Sequence, residues 1–370
     1  MMKKLLPGAL YVLCICLFQP LRLPAQMAND AVAVSMIAGE KGLFDTEELL
    51  EITLSGNVKD VLNDRKEVSQ NHPLQLLYKK ADGSEMTIPV EVKTRGHFRK
   101  MKTNCIYPPL LITFSKTEAL QSSLFEGLDK LKLVMPCTGD EYVVKEWLVY
   151  KLYNLVTPMS FKTRLVKVTL LDAVTKKPIP PFYGLLLEGE KQMAKRNGLI
   201  NVERKIRPEE TDRDAFLTMA VFQYLIGNTD WGVQYLQNIK LIATDSTAVP
   251  FTVAYDFDHA GIVNTPYAQP AEELELSSIR ERRYRGYCIE DMTIFNETIA
   301  LFNKLKAGIY NVYTSCTLLD DKYVKSTVKF LDDFYKTIND KGSVKRQFGY
   351  PCDKTGTGNV VIKGLKQDGP

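Results

Sequence analysis

Two acidic places in the chain carry the residue types that metal and phosphoryl-transfer chemistry needs. The first is Gly227-Asn228-Thr229-Asp230-Trp231, followed by Gln237-Asn238, and the second is Tyr255-Asp256-Phe257-Asp258-His259. Hard divalent cations prefer such oxygen donors and keep positions open for water and phosphate. Sites for phosphoryl transfer combine one carboxylate that orients or deprotonates the attacking hydroxyl with an Asn and a second Asp that hold the metal. Aspartates after helices and strands also serve simply to cap or turn the backbone. Asp256-Phe257-Asp258 matches in addition the Asp-x-Asp of metal-dependent glycosyltransferases. A basic run, Arg280-Glu281-Arg282-Arg283-Tyr284-Arg285, could meet an acidic partner, a phosphate or a glycan, or form a salt-bridged helix start. His72, His97 and His259 lack a zinc spacing, and no Gly-x-Ser-x-Gly or His-Glu-x-x-His motif argues for a hydrolase.

The elements that must position these residues can be read from apolar periodicity. Short runs at Leu49 to Leu54, Leu74 to Tyr78, Met86 to Val92, Leu110 to Phe114 and Leu131 to Met135 predict strands of an antiparallel sheet. Thr138-Gly139-Asp140-Glu141 has the pattern of a capping box. It predicts a helix with Val144, Trp147, Leu148, Leu152 and Leu155 on its apolar face and Lys145, Glu146 and Lys151 turned to water or a ligand. Strands resume at Thr163 to Leu171 and Tyr183 to Glu188. Thr211 and Asp214 can cap a helix through Leu217, Val221, Tyr224 and Leu225 that Gly227 ends. The runs Ile239 to Ile242 and Pro250 to Tyr255 flank the turn-rich Thr244-Asp245-Ser246 and predict a hairpin, beyond which the chain is mainly helical. Asp230 then leaves a helix, Asn238 enters the hairpin and Asp256 leaves it, so closing the hairpin can bring three oxygen donors together.

With 370 residues, 45% apolar and 25% charged, the chain can bury a sizeable core, which excludes disorder, collagen and coiled coil as global descriptions. Lys3 and Lys4, the apolar run Leu5 to Phe18, and the polar stretch Gln19 to Gln26 with Ala25 as cleavage residue read as a secretory signal peptide. The apolar run is shorter than the roughly 20 residues that span a bilayer, so no stable membrane insertion is expected after cleavage. Removing Lys3, Lys4 and Arg22 with that segment leaves the charge nearly balanced from a total of +4, and no field favours nucleic acid. Cys105, Cys137, Cys288, Cys316 and Cys352 remain. Up to two bridges could form in an oxidising compartment, but buried or incidental thiols are the simplest reading, because no Cys-x-x-Cys is present.

Several blocks, in order, resemble the CotH family, the spore-coat-protein-H-like atypical kinases. They are Arg95-Gly96 with basic Arg99, Lys100 and Lys102; Leu131 to Met135 leading into the Lys145 helix; Tyr183-Gly184-Leu185-Leu186-Leu187 with Glu190-Lys191; Asn228-Thr229-Asp230-Trp231; Gln237-Asn238; and Tyr255-Asp256-Phe257-Asp258. The resemblance runs over about residues 45 to 335. It implies an α+β, two-lobed atypical protein-kinase-like fold. The expected organisation is a signal peptide (1–25), a linker (26–44), a sheet-rich N-terminal lobe (45–200), a mainly helical C-terminal lobe with the metal-site hairpin (201–345) and a tail (346–370). It implies transfer of the ATP γ-phosphoryl group to protein Ser or Thr with Mg, Mn or Ca, on a protein substrate in the envelope or extracellular space. The mature chain would be periplasmic, at the cell surface or secreted. Carried over by block, Asp230 is the catalytic aspartate, Asn238 and Asp256 hold metal, and Asp258 is a further ligand. Arg95, Lys102 and Lys145 would neutralise nucleotide phosphate and Glu190 would orient one of those cations. The alternatives are a non-catalytic, pseudokinase-like binding protein and a metal-dependent glycosyltransferase.

Overall fold

A computed structural model describes residues 42–349 of the chain. The expected signal peptide, most of the linker and most of the tail lie outside the described residues. Apolar residues alternate along the first strands, as expected of walls with one face on a core. β1 (Leu50–Gly56), β2 (His72–Lys79), β3 (Glu85–Thr94), β4 (Leu110–Phe114) and β5 (Lys130–Val134) follow one another with antiparallel pairing. Short helices α1 (Val58–Asn63) and α2 (Glu118–Gln121) lie between them. Ile52, Leu54, Leu76, Ile88, Val92, Ile112 and Leu133 point into a common core.

Closure of this sheet overturns the two-lobed kinase-like fold and the purely antiparallel sheet expected from sequence. β6 (Thr163–Asp172) and β7 (Lys177–Leu187) form a hairpin, β7 pairs with β5, and β6 pairs in parallel with β1 from Leu50↔Val166 to Gly56↔Asp172. The result is a closed, mixed, seven-stranded barrel in the order β1-β2-β3-β4-β5-β7-β6. Closure satisfies both edges of the sheet. No local pattern announces it, because the closing pair joins the first strand to one that follows an intervening helix.

That helix, α3 (Asp140–Val156), is buried on nearly all sides, as expected of a helix enclosed by other elements. Its apolar side chains Val144, Leu148 and Leu152 join the second core, which the residues beyond 200 mainly build. Lys145 and Glu146 are therefore buried, whereas the periodicity had turned them outward. Gly139 is the N-cap and supplies no side-chain bond, so the expected capping box is absent. Asp140 instead accepts the Tyr183 amide at 2.9 Å.

The second core includes α4 (Glu190–Arg196), β8 (Ile200–Val202), α5 (Arg213–Ile226), β9 (Ile239–Ala243) and β10 (Phe251–Ala254). The last three strands form a sheet in the order β10-β9-β8, whose β9–β10 hairpin matches the sequence expectation. Asp212 caps α5 by accepting the Ala215 amide, a place that sequence gave to Thr211 and Asp214. Gly227 ends the helix in the left-handed region at φ 67°, where a residue without Cβ is favoured. Helices α6 (Phe295–Thr314), α7 (Asp321–Ile338) and α8 (Lys341–Phe348) complete this side, with Phe302, Phe330, Phe334 and Phe348 directed inward. No described helix is long and apolar enough to cross a membrane.

Cys105 and Cys137 are joined in a disulfide and Cys288 is disulfide-bonded as well, correcting the expectation of incidental thiols. The Cys105–Cys137 bridge ties the β3–β4 connection to the one between β5 and α3, across a sequence separation of 32. Loop-closure entropy for a ring of that length amounts to about 3–4 kcal/mol. The Cys105→Ser/Cys137→Ser chain should lose stability of that order in urea unfolding. An unchanged midpoint and slope would show that the bridge contributes nothing to the folded state.

Candidate functional site

The site begins where α5 stops. After Gly227, Asn228 is buried and its side chain is used twice: its amide donates to Gln223 at 3.0 Å and its oxygen accepts the Asp230 amide at 3.0 Å. The Trp231 indole donates to the Asn228 carbonyl at 3.1 Å. A bridge between Gly232 and Gln237 then returns the chain toward Asp230. Gln237 donates to one Asp230 carboxylate oxygen, and Asn238 donates to the other at 3.0 Å and to the Asp230 carbonyl at 2.7 Å. These two amide-hydrogen bonds leave the side-chain oxygen of Asn238 as its remaining ligating atom.

The hairpin brings Asp256 to the same mouth. The Tyr255 amide donates to the Asn238 carbonyl at 3.1 Å, continuing the β9–β10 ladder by one step. Asn238 and Asp256 both adopt left-handed backbone, with φ of 51° and 62°, a region where Asn and Asp are enriched among residues with a Cβ. The Asp256 amide donates to the Tyr150 hydroxyl of α3 at 2.9 Å. Asp230, Asn238 and Asp256 are all half-buried. Asp230 and Asp256 lie within each other's electrostatic reach.

Asp258 is placed differently. Its carboxylate accepts the Tyr267 hydroxyl at 3.0 Å and lies 3.6 Å from Arg99. Arg99 also faces Glu146 at 3.8 Å and donates to the Met135 carbonyl at 2.7 Å. The space enclosed by Arg99, Glu146, Asp258 and Tyr267 is about 10 Å³, about the volume of one water-sized probe. Phe98, His259 and Tyr267 form an aromatic wedge beside it, with ring centroids 5.6–6.0 Å apart. Asp258 thus belongs to a tight ionic cluster, while Asp230, Asn238 and Asp256 are each half-buried beside it.

Crowded carboxyl groups shape the electrostatics. Burial, then the Asp258 charge, pushes Glu146 up to about 8, against the pull of Arg99. Burial and Asp258 likewise push Asp256 up to about 6, against Arg99 and Arg95. Asp230 is raised by burial and by Asp258, with His259, Gln237 and Arg285 opposing. Burial lowers the proton affinity of Arg99, but Tyr267, Asp258, Glu146 and Asp256 more than reverse this.

A basic group borders the mouth on the other side. Glu190 receives Lys132 from the barrel at 3.5 Å and Lys240 from β9 at 2.9 Å, and both ammonium groups lie near the Tyr255 ring, 5.8 and 5.5 Å from its centroid. Arg95 acts on Lys132 and on Asp256 through its charge. Glu190 therefore contacts cations, but these are Lys132 and Lys240 and not one of Arg95, Lys102 and Lys145 as expected. Lys102 is exposed and donates to Asn63 at 2.9 Å. Lys145 lies between the rings of Tyr142 and Tyr323, 4.3 and 4.5 Å from their centroids. Neither joins the Asp256 mouth. Lys132 and Lys240 went unassigned because an alternating Lys on a strand reads as a solvated face. Only the pairing of β5 with β7 and of β9 with β8 brings them near Glu190.

The arginine run is mostly internal. Arg282 donates to the carbonyls of Tyr224, Leu225 and Phe330 and stacks 3.5 Å from the Phe330 ring centroid. It satisfies carbonyls at the C-terminus of α5 that the helix itself leaves open. Arg280 donates to the Gly261 carbonyl at 3.2 Å, and the buried Arg285 donates to those of Thr229 and Trp231.

Among the described residues no three His, Cys, Asp or Glu side chains form a ready cage for a metal ion. Mg²⁺ and Mn²⁺ do not need one, since one or two protein oxygens can suffice where phosphate and water complete the shell. Asp256 and Asn238 fit that smaller role.

Glu146 and Asp256 hold protons more tightly in the folded chain than when unfolded. Their contribution is complete below the ordinary carboxyl range and is lost as pH rises through about 6 and then about 8, because the folded state binds more protons over that interval. Glu146→Gln keeps the shape and removes the ionisation. Its Tm relative to wild type should climb steadily between pH 5 and pH 8.5, by on the order of a few kcal/mol in stability. A difference that stays flat with pH would show that Glu146 is not held protonated.

Comparison with protein-family models finds no match to this chain, and comparison with curated proteins finds none either, so its chemistry is read from the residues just described.

Proposed function

We propose that this chain is an exported, CotH-like atypical kinase that transfers the γ-phosphoryl group of ATP to a protein Ser or Thr hydroxyl with a divalent cation. The observation that carries the reading is the position of the Tyr255-Asp256 pair. Asp256 stands beside Asp230 and Asn238 at an acidic mouth, while Tyr255 lies under Lys132 and Lys240 with Arg95 within electrostatic reach. An acidic group for a cation next to a basic group for phosphate is the pairing that phosphoryl transfer uses. The reading rests on this site and not on the overall architecture.

The residues divide the work. Asp230, held on both carboxylate oxygens by Gln237 and Asn238, orients or deprotonates the acceptor hydroxyl. Asn238 and Asp256 hold the cation, which when bound would neutralise phosphate charge. Lys132, Lys240 and Arg95 bind the phosphate chain, with one carboxylate oxygen of Glu190 holding the two lysines together. Asp258 keeps Arg99 and Tyr267 in place behind the site. Its carboxylate is engaged by Tyr267 and Arg99, which gives little support to a glycosyltransferase of the Asp-x-Asp type. The disulfides at Cys105–Cys137 and Cys288 support export to an oxidising compartment. One observation favours the non-catalytic alternative: both carboxylate oxygens of Asp230 already accept hydrogen bonds from the chain itself.

Melting curves with ATP and Mg²⁺ or Mn²⁺ separate the readings. Saturating nucleotide and metal at a thousand times the dissociation constant should stabilise wild type by about 4 kcal/mol, and Asp256→Asn should abolish the shift while the protein stays folded. Asp230→Asn should keep the shift and lose transfer to a protein acceptor by about 10²–10⁴-fold. A folded wild type that shows no shift with any nucleotide–metal pair would leave the non-catalytic binding protein as the better reading. A shift with nucleotide sugars alone would favour the glycosyltransferase.

A further inference from the structure

We infer that Arg285 is a positioning residue for Asp230: a buried guanidinium that clamps the two peptide carbonyls flanking it and thereby fixes where its carboxylate points. This rests on the proposed phosphoryl-transfer reading for its catalytic meaning, but the clamp itself is a statement about the loop.

Arg285 is 6% exposed. One terminal nitrogen donates to the Thr229 carbonyl at 2.7 Å and to the Trp231 carbonyl, the oxygens of the residues before and after Asp230. The guanidinium also lies 5.5 Å from the centroid of the Trp231 ring, whose indole is anchored to the Asn228 carbonyl at 3.1 Å. The loop is thus held from three directions: Asn228 takes the Asp230 amide, Gln237 and Asn238 take its carboxylate, and Arg285 takes the carbonyls on either side. The first two holds come from the loop's own neighbours in sequence. Arg285 reaches it from a segment more than fifty positions away, and so adds a long-range polar hold to the packing of Trp231 on Phe216.

A guanidinium suits the task because the two N–H donors of its Nη1, one for each carbonyl, lie in a plane that the side chain fixes. An ammonium is a single point charge with freely rotating donors. An ammonium at the same place could reach both carbonyls through its own donors but would hold them less firmly, because nothing fixes their directions. Displacing a catalytic carboxylate by about 1 Å costs on the order of 10²-fold in rate without changing ground-state binding. A residue that only fills the core would instead lower stability everywhere and leave this loop no worse than its surroundings.

The test compares full-length wild type, Arg285→Lys and Arg285→Met by hydrogen exchange and by ATP-dependent transfer to a protein acceptor. In Arg285→Met the amides of Asp230 and Gly232, which bond to Asn228 and Gln237, should exchange about tenfold faster while the amides of α5 keep their protection. Transfer should fall about 10²-fold in kcat with the KM for ATP unchanged. Arg285→Lys should lie between, recovering much of both, and it carries the test alone if the Met variant does not fold. Unchanged exchange at Asp230 and Gly232 overturns the clamp. So does faster exchange spread evenly through α5 and α7, which marks a general packing role. A wild type without any transfer removes the phosphoryl-transfer reading, and the exchange data then decide the clamp by themselves.

Discussion

The arrangement around Arg99 is governed by a shortage of positive charge. Its side chain, only 12% exposed, faces Glu146 and Asp258, and Asp256 lies within electrostatic reach. Three carboxyl groups around one guanidinium, two of them buried and one half-buried, cannot all ionise, because an uncompensated charge in the interior costs several kcal/mol. The cluster answers in two ways. Glu146 holds its proton to about 8, and Tyr267 donates to Asp258 at 3.0 Å.

Much of the surrounding structure keeps that crowd together. Arg99 comes from the β3–β4 connection of the barrel, Glu146 from α3, and Asp256 and Asp258 from the segment after β10. The Cys105–Cys137 bridge fixes the first of these to the chain entering the second. Tyr150 and Tyr153 on α3 reach the amides of Asp256 and Ala254 at 2.9 and 3.5 Å, so the same helix that buries Glu146 also sets the height of Asp256. Phe98 packs on His259 and Tyr267, so the barrel loop covers the last segment. Like charges are brought together by apolar and covalent contacts that do not depend on them.

What could be read from sequence was local. Leu110–Phe114 forms β4 to the residue because a short apolar run between Pro109 and Ser115 has few other uses. Gly227 was recognisable as a helix stop because the left-handed position selects for glycine. The hairpin was legible from its two apolar arms, and with it the approach of Asn238 to Asp230 and Asp256. What was hidden depended on distant pairing. Closure of the barrel rests on β1 and β6, and the Lys132–Glu190–Lys240 group requires three separate elements to converge. Glu146 sat at a helical position that periodicity assigns to a wet face, yet α3 is covered on that face too. The arginine run looked like a surface for partners, whereas Arg282 and Arg285 are consumed by carbonyl oxygens at the end of α5 and in the loop beyond it.

Backbone strain points to the same mouth. Among the described residues six with a side chain have positive φ, and three of them, Leu236, Asn238 and Asp256, belong to the segments next to Asp230, the others being Lys176, Asn264 and Glu275. Such conformations cost on the order of 1–3 kcal/mol each and persist only where the surroundings enforce them. At Asn238 the enforcement is visible: two hydrogen bonds to Asp230 and the amide of Tyr255 fix both ends of the residue. At Asp256 it is the Tyr150 hydroxyl below and the Asp258 cluster beside it. A chain selected only for stability would relax these positions with glycine, which adopts them without strain. Glycine would also remove the Asn238 amide that holds the Asp230 carboxylate and carbonyl, so at Asn238 one residue supplies both the turn and the bonds that position its neighbour.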